Sequence, residues 1–363
     1  MKSLIPLLVS FLLALDVFSQ DGRLSHGKTE NIILFALDGM RWQEIFGGVD
    51  SSLMNDKKFT QESGDMYRAF WDNDPALRRR RLMPFLWDNL ARHGQLYGNR
   101  ALGNYVDVSN PYNITYPGFS EIITGFADTA LKSNALQINR NGNVLEAINA
   151  FPEFRGKVCT FSTSDLFPYI LDRWRNGLFV NSDTDSLPED SPQMQLLNKM
   201  EKLAAKPSGE RPDLLTYFAG REYLIQHHPR ALYIALGETD AFAHMSSYDQ
   251  YIGAVHAEDA MMADLWALVQ SLPEYRDKTT LLVFCDHGRG GAVKAEWTDH
   301  GADIKGSGSI WIAALGPDSS PLGEMSSHAQ LYQGQLAATI AALLGIPFTP
   351  QHKTLPRIES VLK

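Results

Sequence analysis

Three stretches of the chain contain an unbroken apolar run, and each runs into an acid. Residues 31–37 read Asn-Ile-Ile-Leu-Phe-Ala-Leu and end at Asp38-Gly39; residues 231–236 lead into Gly237-Glu238-Thr239-Asp240; residues 279–285 stop at Asp286-His287-Gly288. None alternates polar with apolar positions, so each predicts a strand covered on both faces, not one half-exposed to water. Further strands are predicted at 95–102, 157–161 and 309–314. Between them the spacing predicts helices over 82–93, closed by Gly94, and over 143–150, 194–205, 213–227, 248–270 and 330–344. A short helix runs to Thr124 and stops at Gly125; Pro117 in its first turn puts Thr115 at or just before its N-terminus. This alternation predicts an α/β fold with a doubly wound, mostly parallel sheet flanked by helices. Residues 20–363 read as one domain, with a small cap or insertion expected around 41–81 and 181–210.

Composition alters this picture in three places. With 363 residues, 44% hydrophobic and 21% charged, the chain can bury a large core. Met1-Lys2-Ser3, the apolar run 4–15 and the small-residue site at Val17-Phe18-Ser19 have the layout of a secretory signal peptide over 1–19. The run is too short to span a bilayer, and no cysteine follows for lipid attachment, so the expectation is an exported, periplasmic or secreted protein without a membrane anchor. A formal net charge of -9 opposes binding to duplex nucleic acid or anionic membrane. Arg78 to Arg81 stand before the amphipathic segment 82–92 and read as a solvated helix start. Cys159 and Cys285 lie in strand-like runs and predict buried free thiols.

In a parallel sheet the carboxyl ends of the strands share one edge, so Asp38, Asp240 and Asp286 can converge there. His244 follows Asp240 by four residues, His287 adjoins Asp286, and His300 arrives from the loop beyond. Three Asp and three His offer the oxygen and nitrogen ligands that suit zinc or a similar cation, and they outnumber the needs of one tetrahedral ion. Two ions roughly 4 Å apart would clamp the attacking and leaving oxygens of a phosphoryl transfer. Thr115, a hydroxyl at a helix N-terminus, is placed to be the nucleophile, although capping is the commoner use of such a threonine.

These pieces together resemble the alkaline phosphatase superfamily, and within it the nucleotide pyrophosphatase/phosphodiesterase-like branch with a threonine nucleophile. The resemblance is carried by Asp38-Gly39, Thr115-Tyr116-Pro117 followed by Ile123-Thr124-Gly125, the Asp240 and His244 pair, Asp286-His287-Gly288 and His300-Gly301, in the family's order. It implies one ion held by Asp38, Asp286 and His287 with Thr115 bridging towards it, and another held by Asp240, His244 and His300, zinc being the first choice for both. It also implies an asparagine that holds a phosphate oxygen; Asn134 is chosen, with Asn139 as the alternative. The activity implied is hydrolysis of small phosphate esters, of phosphodiester or nucleotide type, through a phosphothreonine.

Sulfatases of this fold resemble a different pattern, with a Cys or Ser nucleophile and an Arg four residues on; here the positions hold Thr115 and Phe119. Phosphomutases of the superfamily use serine and lack a leader. A non-catalytic binding protein would be expected to have lost some of the seven residues. A phosphomonoesterase remains the alternative, with Lys132, Arg140, Arg289 and Lys294 as possible cations, whereas Tyr112, Tyr116, Phe119 and Trp297 could line a pocket for a diester's second group.

Overall fold

The computed structural model describes residues 27–363, so the expected leader at 1–19 lies outside the described residues. The run 31–37 forms the strand β1 (Asn31–Leu37), every residue of which is buried. The other strands are β2 (Gln95–Tyr97), β3 (Asn104–Asp107), β4 (Val158–Ser162), β5 (Phe179–Ser182), β6 (Ala231–Leu236), β7 (Thr279–Phe284), β8 (Ser309–Ile310), β9 (Ile312–Leu315), β10 (Gly323–Glu324) and β11 (Ala329–Tyr332). The main sheet has the order β10-β2-β9-β7-β1-β6-β4-β5, and a small one the order β11-β3-β8. Within the main sheet only β9 runs against its neighbours.

This order places the three acid-ended runs side by side. β1 pairs in parallel with β6 on one edge, Leu37 opposite Leu236, and with β7 on the other, Ala36 opposite Phe284. Both partners are buried along their whole length. The uninterrupted apolar runs thus reflect helices on both faces of the sheet. Each fully buried Leu, Ile or Phe in them stabilises the fold by roughly 1.5–3 kcal/mol.

The helices Asp213–His227 and Tyr248–Ser271 match the expected boundaries within a residue. Elsewhere local chemistry shifts them. The strand expected at 95–102 stops at Tyr97, because Gly98 turns the backbone to φ +111° and a short 3-10 turn follows at Arg100–Leu102. The run 309–314 divides at Trp311: β8 pairs with β3 in the small sheet, while β9 pairs with β7 and β2 in the main one. The helix expected over 330–344 covers only Leu336–Leu343, its first residues forming β11.

The helix expected over 82–93 is interrupted at Pro84, which lacks the N–H a continuous helix needs and holds Met83 out of the helical region. Arg79, Arg80 and Arg81 therefore sit in the last turn of the helix Pro75–Leu82, where cations suit the dipole, and not at a helix start. They pair with Glu324 at 3.0 Å, Asp88 at 2.5 Å and Asp72 at 2.9 Å. Cys159 and Cys285 are free and buried, as expected. No helix among the described residues is long and apolar enough to cross a membrane.

Candidate active site

Because β7, β1 and β6 are neighbours with the same direction, the residues just past their ends meet at one edge. Asp38 follows β1, Asp286 and His287 follow β7, and the helix Glu238–His244 carries Asp240 and His244 one turn apart beyond β6. Two glycines make the junction possible. Gly39 turns with φ +60°, and a Cβ there would stand 2.7 Å from Asp240 Oδ1. Gly118 lies in the helix Thr115–Thr124, and a Cβ would meet the Asp286 carbonyl oxygen at 2.6 Å. The helix that begins with Thr115 thus rests directly on the backbone after β7.

His287 is the hub. Its Nε2 lies 3.2 Å from Asp38 Oδ1, 3.5 Å from Asp286 Oδ2, 3.9 Å from Asp240 Oδ1 and 3.5 Å from Thr115 Oγ1. Its Nδ1 faces the Gly288 carbonyl at 3.0 Å, the geometry of an Nδ1–H donor, so in the neutral ring Nε2 is free to accept or ligate. Asp38 Oδ1 and Asp286 Oδ2 are buried with no hydrogen-bond partner. An imidazole nitrogen and two carboxyl groups thus crowd one buried junction, where ionised acids are costly unless protons or a cation neutralise them. Burial pushes both carboxyl groups well above the ordinary range, and each acid raises the other further: Asp240 acts on Asp38, and Asp38 on Asp286.

The second group has the same logic with looser support. His300 Nδ1 lies 2.9 Å from the Asn113 carbonyl, so in the neutral ring its Nε2 is also free to accept or ligate, 3.6 Å from Asp240 Oδ1. Burial, and then the stacked His287 ring 3.8 Å away, depress the His300 pKa to about 2, which keeps the imidazole neutral and able to ligate. His244 Nε2 is 3.0 Å from His300 Nε2 and 3.2 Å from Asp240 Oδ2. Asp240 behaves unlike the other acids. Burial raises its pKa, but Arg289 and the neighbouring histidines outweigh that and hold the carboxyl well below the usual range. Arg289 is buried, donates to Asp240 Oδ1, and is itself fixed by the Trp297 and Thr298 carbonyls at 2.9 and 2.6 Å.

Two sets of ligand atoms, each within 4.8 Å, emerge: Asp38, Asp286 and His287; and Asp240, His287 and His300. The first is the expected trio. The second includes His287, with His244 touching two of its members. The donor types fit zinc or a similar divalent ion.

Thr115 is the first residue of its helix and 6% exposed. The next amide, Tyr116 N–H, donates to Asn134 Oδ1 at 2.9 Å, so what Asn134 can still offer a ligand is its NH2 group. Asn139 is buried away from the edge, its amide donating to Ser120 Oγ at 2.9 Å. A cavity of about 370 Å³ opens onto Asp38, Thr115, Asn134, Asp240 and His244. It is also lined by Ser164, Leu166, Ser208, Glu210 and Met245, for which the sequence carried little signal. Ser164 alone could have been found, since it lies just past the end of β4, on the same edge.

The aromatic residues considered as pocket walls are elsewhere. Tyr116, Phe119 and Trp297 are in the core, and the Tyr112 hydroxyl donates to the Thr129 carbonyl at 2.6 Å. Trp297 packs edge-on against Phe59, Tyr248 and Tyr251. The possible cations are spent or distant as well. Lys294 pairs with Asp56 at 2.5 Å, Arg289 with Asp240, Arg140 borders a separate cavity beside Val144–Ala150, and Lys132 is exposed outside the lining.

Neither a protein-family model nor a curated protein sequence matches the chain. Solved structures do match in fold. An alkaline phosphatase, PafA, aligns with TM-score 0.59 and 10% identity over 93% of this chain and 100% of its own. The phosphonate monoester hydrolase of Agrobacterium radiobacter gives 0.57 and 11% over 92% and 77%. The 2-O GAG sulfatase BT1596 gives 0.55 and 13% over 90% and 73%. The fold is therefore that of the alkaline phosphatase superfamily.

Proposed function

We propose that the protein is a metal-dependent hydrolase of phosphate esters, of phosphodiester type, which uses Thr115 as nucleophile. The observation that carries the reading is the convergence of His287 Nε2, Asp38 Oδ1 and Asp286 Oδ2 beside the Thr115 hydroxyl, with a second set of ligand atoms adjoining it. Asp38, Asp286 and His287 would hold one ion, and Asp240, His244 and His300 the other. Bound there, two divalent ions, zinc by donor type, would supply Lewis-acid activation of a hydroxyl and neutralise phosphate charge.

The protein's own groups account for the rest. Thr115 Oγ1 attacks phosphorus in line, the bond to the leaving alcohol breaks, and water then cleaves the phosphothreonine and restores the hydroxyl. The Asn134 amide holds a non-bridging oxygen while its carbonyl oxygen anchors the first turn of the Thr115 helix. The diester preference is supported by the cavity lining, which contains no Lys or Arg to meet the extra charge of a monoester dianion. A sulfatase of the formylglycine kind is disfavoured by Thr115 itself. The leader-like residues 1–19 support export.

Thr115→Ala should abolish turnover of p-nitrophenyl phosphate esters while elemental analysis still finds two metals per chain. Near-full activity in that variant would refute the nucleophile, and fewer than about one metal in the native protein would undermine the two-ion scheme. A panel of monoester, diester, phosphonate and sulfate esters assayed with zinc identifies the ester class.

A further inference from the structure

The cavity contains one acid that neither ligand group uses. Glu210 lines it beside Ser164, Pro207 and Ser208. Ser164 adjoins it in the lining, and its charged neighbours, Asp240, Asp213 and Asp165, are all acidic. Burial, with those neighbours adding, raises its carboxyl to about 7. The cations near it in sequence are committed elsewhere. Lys206 pairs with Asp183 and Glu201, each at 3.0 Å, and Arg211 donates to Thr216, Asn181 and the Ser162 carbonyl. Space for Glu210 is kept by Gly237, where a Cβ would stand 3.1 Å from Glu210 Oε2. The carboxyl therefore packs against the backbone that leads from β6 to Asp240. A lone acid in a cavity that receives an anion weakens binding, and no ion pair among the described residues gives it another use.

We propose that Glu210 is a specificity-determining residue, a charge filter that admits singly charged phosphodiesters and disfavours doubly charged terminal phosphates. The inference rests on the phosphoryl-transfer reading above and names what sets its substrate class. Repulsion from a fixed carboxylate doubles when the ligand's charge doubles, which in a partly wet cleft is worth on the order of tenfold in relative specificity.

The test compares kcat/KM for bis(p-nitrophenyl) phosphate and p-nitrophenyl phosphate in metal-loaded protein at about pH 8.5, where the monoester is a dianion. Glu210→Gln should move the ratio about tenfold towards the monoester, Glu210→Lys should move it further, and high salt should shrink both differences. Equilibrium titration of the dianion phenylphosphonate into the same proteins should tighten in Glu210→Gln by a comparable factor. Ratio and affinity within about twofold of native in both variants would overturn the filter, as would a parallel loss on both esters with no change in their ratio. Should the native protein turn over neither ester, the functional reading fails, while the phosphonate titration still decides the filter.

Discussion

The two ligand groups differ in what carries them. Asp38, Asp286 and His287 stand on the ends of two central strands and are almost wholly buried. Asp240 and His244 stand on a seven-residue helix, His300 on a loop, and the His244 side chain is 43% exposed. Precision in the first group comes from the sheet. In the second it has to be added by side chains: Arg289 grips Asp240, and the Asn113 carbonyl sets His300. One group is inherited from the fold and the other is assembled on it, so the two should respond differently to damage.

Removing the hub should erase that difference. His287 reaches both groups, so His287→Ala should lose both ions and at least about 10³-fold in kcat/KM, since each ion supplies several kcal/mol of charge stabilisation. A variant that keeps two metals by elemental analysis would contradict the shared role. His244→Ala should sharpen the contrast: one ion weakens, activity falls about 10²-fold, and excess zinc restores much of it, whereas no zinc concentration should rescue His287→Ala. Arg289→Met should act more mildly. Asp240 would keep its place on the helix but lose its clamp, and affinity for one ion alone should drop about 10- to 100-fold, read by chelator competition.

The smallest effect on either group should come from Asp259, which lies on the helix Tyr248–Ser271 and accepts from the Phe85 and Leu86 amides, each at 2.8 Å. Burial raises its carboxyl to about 6 against an unfolded value near 3.9. The folded protein thus holds a proton that the unfolded chain has released. This contribution to stability is full below about pH 4 and is lost as pH rises through about 6, a change of roughly 2–3 kcal/mol. Urea unfolding of the metal-free protein at pH 4.5 and 7 should show that fall in the native chain and a smaller one in Asp259→Asn. Equal slopes would place the titration elsewhere.

The same contrast explains what could be read in advance. The apolar runs before Asp38, Asp240 and Asp286 name their strands because a strand buried on both faces leaves no room for polar residues. Residues fixed to such strands, and Thr115 at a helix start marked by Pro117, follow from local pattern. β3, β5, β10 and β11 have two to four residues each, too few to show a period. The split at Trp311 was masked because a strand that changes sheets can stay apolar throughout. Arg289 and Glu210 depend on tertiary direction: nothing local tells that a guanidinium after a metal motif turns back onto Asp240, or that the loop before Asp213 brings a carboxylate over the cavity.

The central position of β1 also sets a clock. The Asp38 amide donates to the Leu236 carbonyl at 3.0 Å, continuing the ladder between β1 and β6 to its last rung. Exposing that amide means parting the middle of the sheet, so its hydrogen exchange should track global unfolding, while amides of the helix Glu238–His244 can exchange through a smaller local opening. The first group accordingly keeps its geometry until the sheet itself parts, whereas the second can shift when a single helical turn opens.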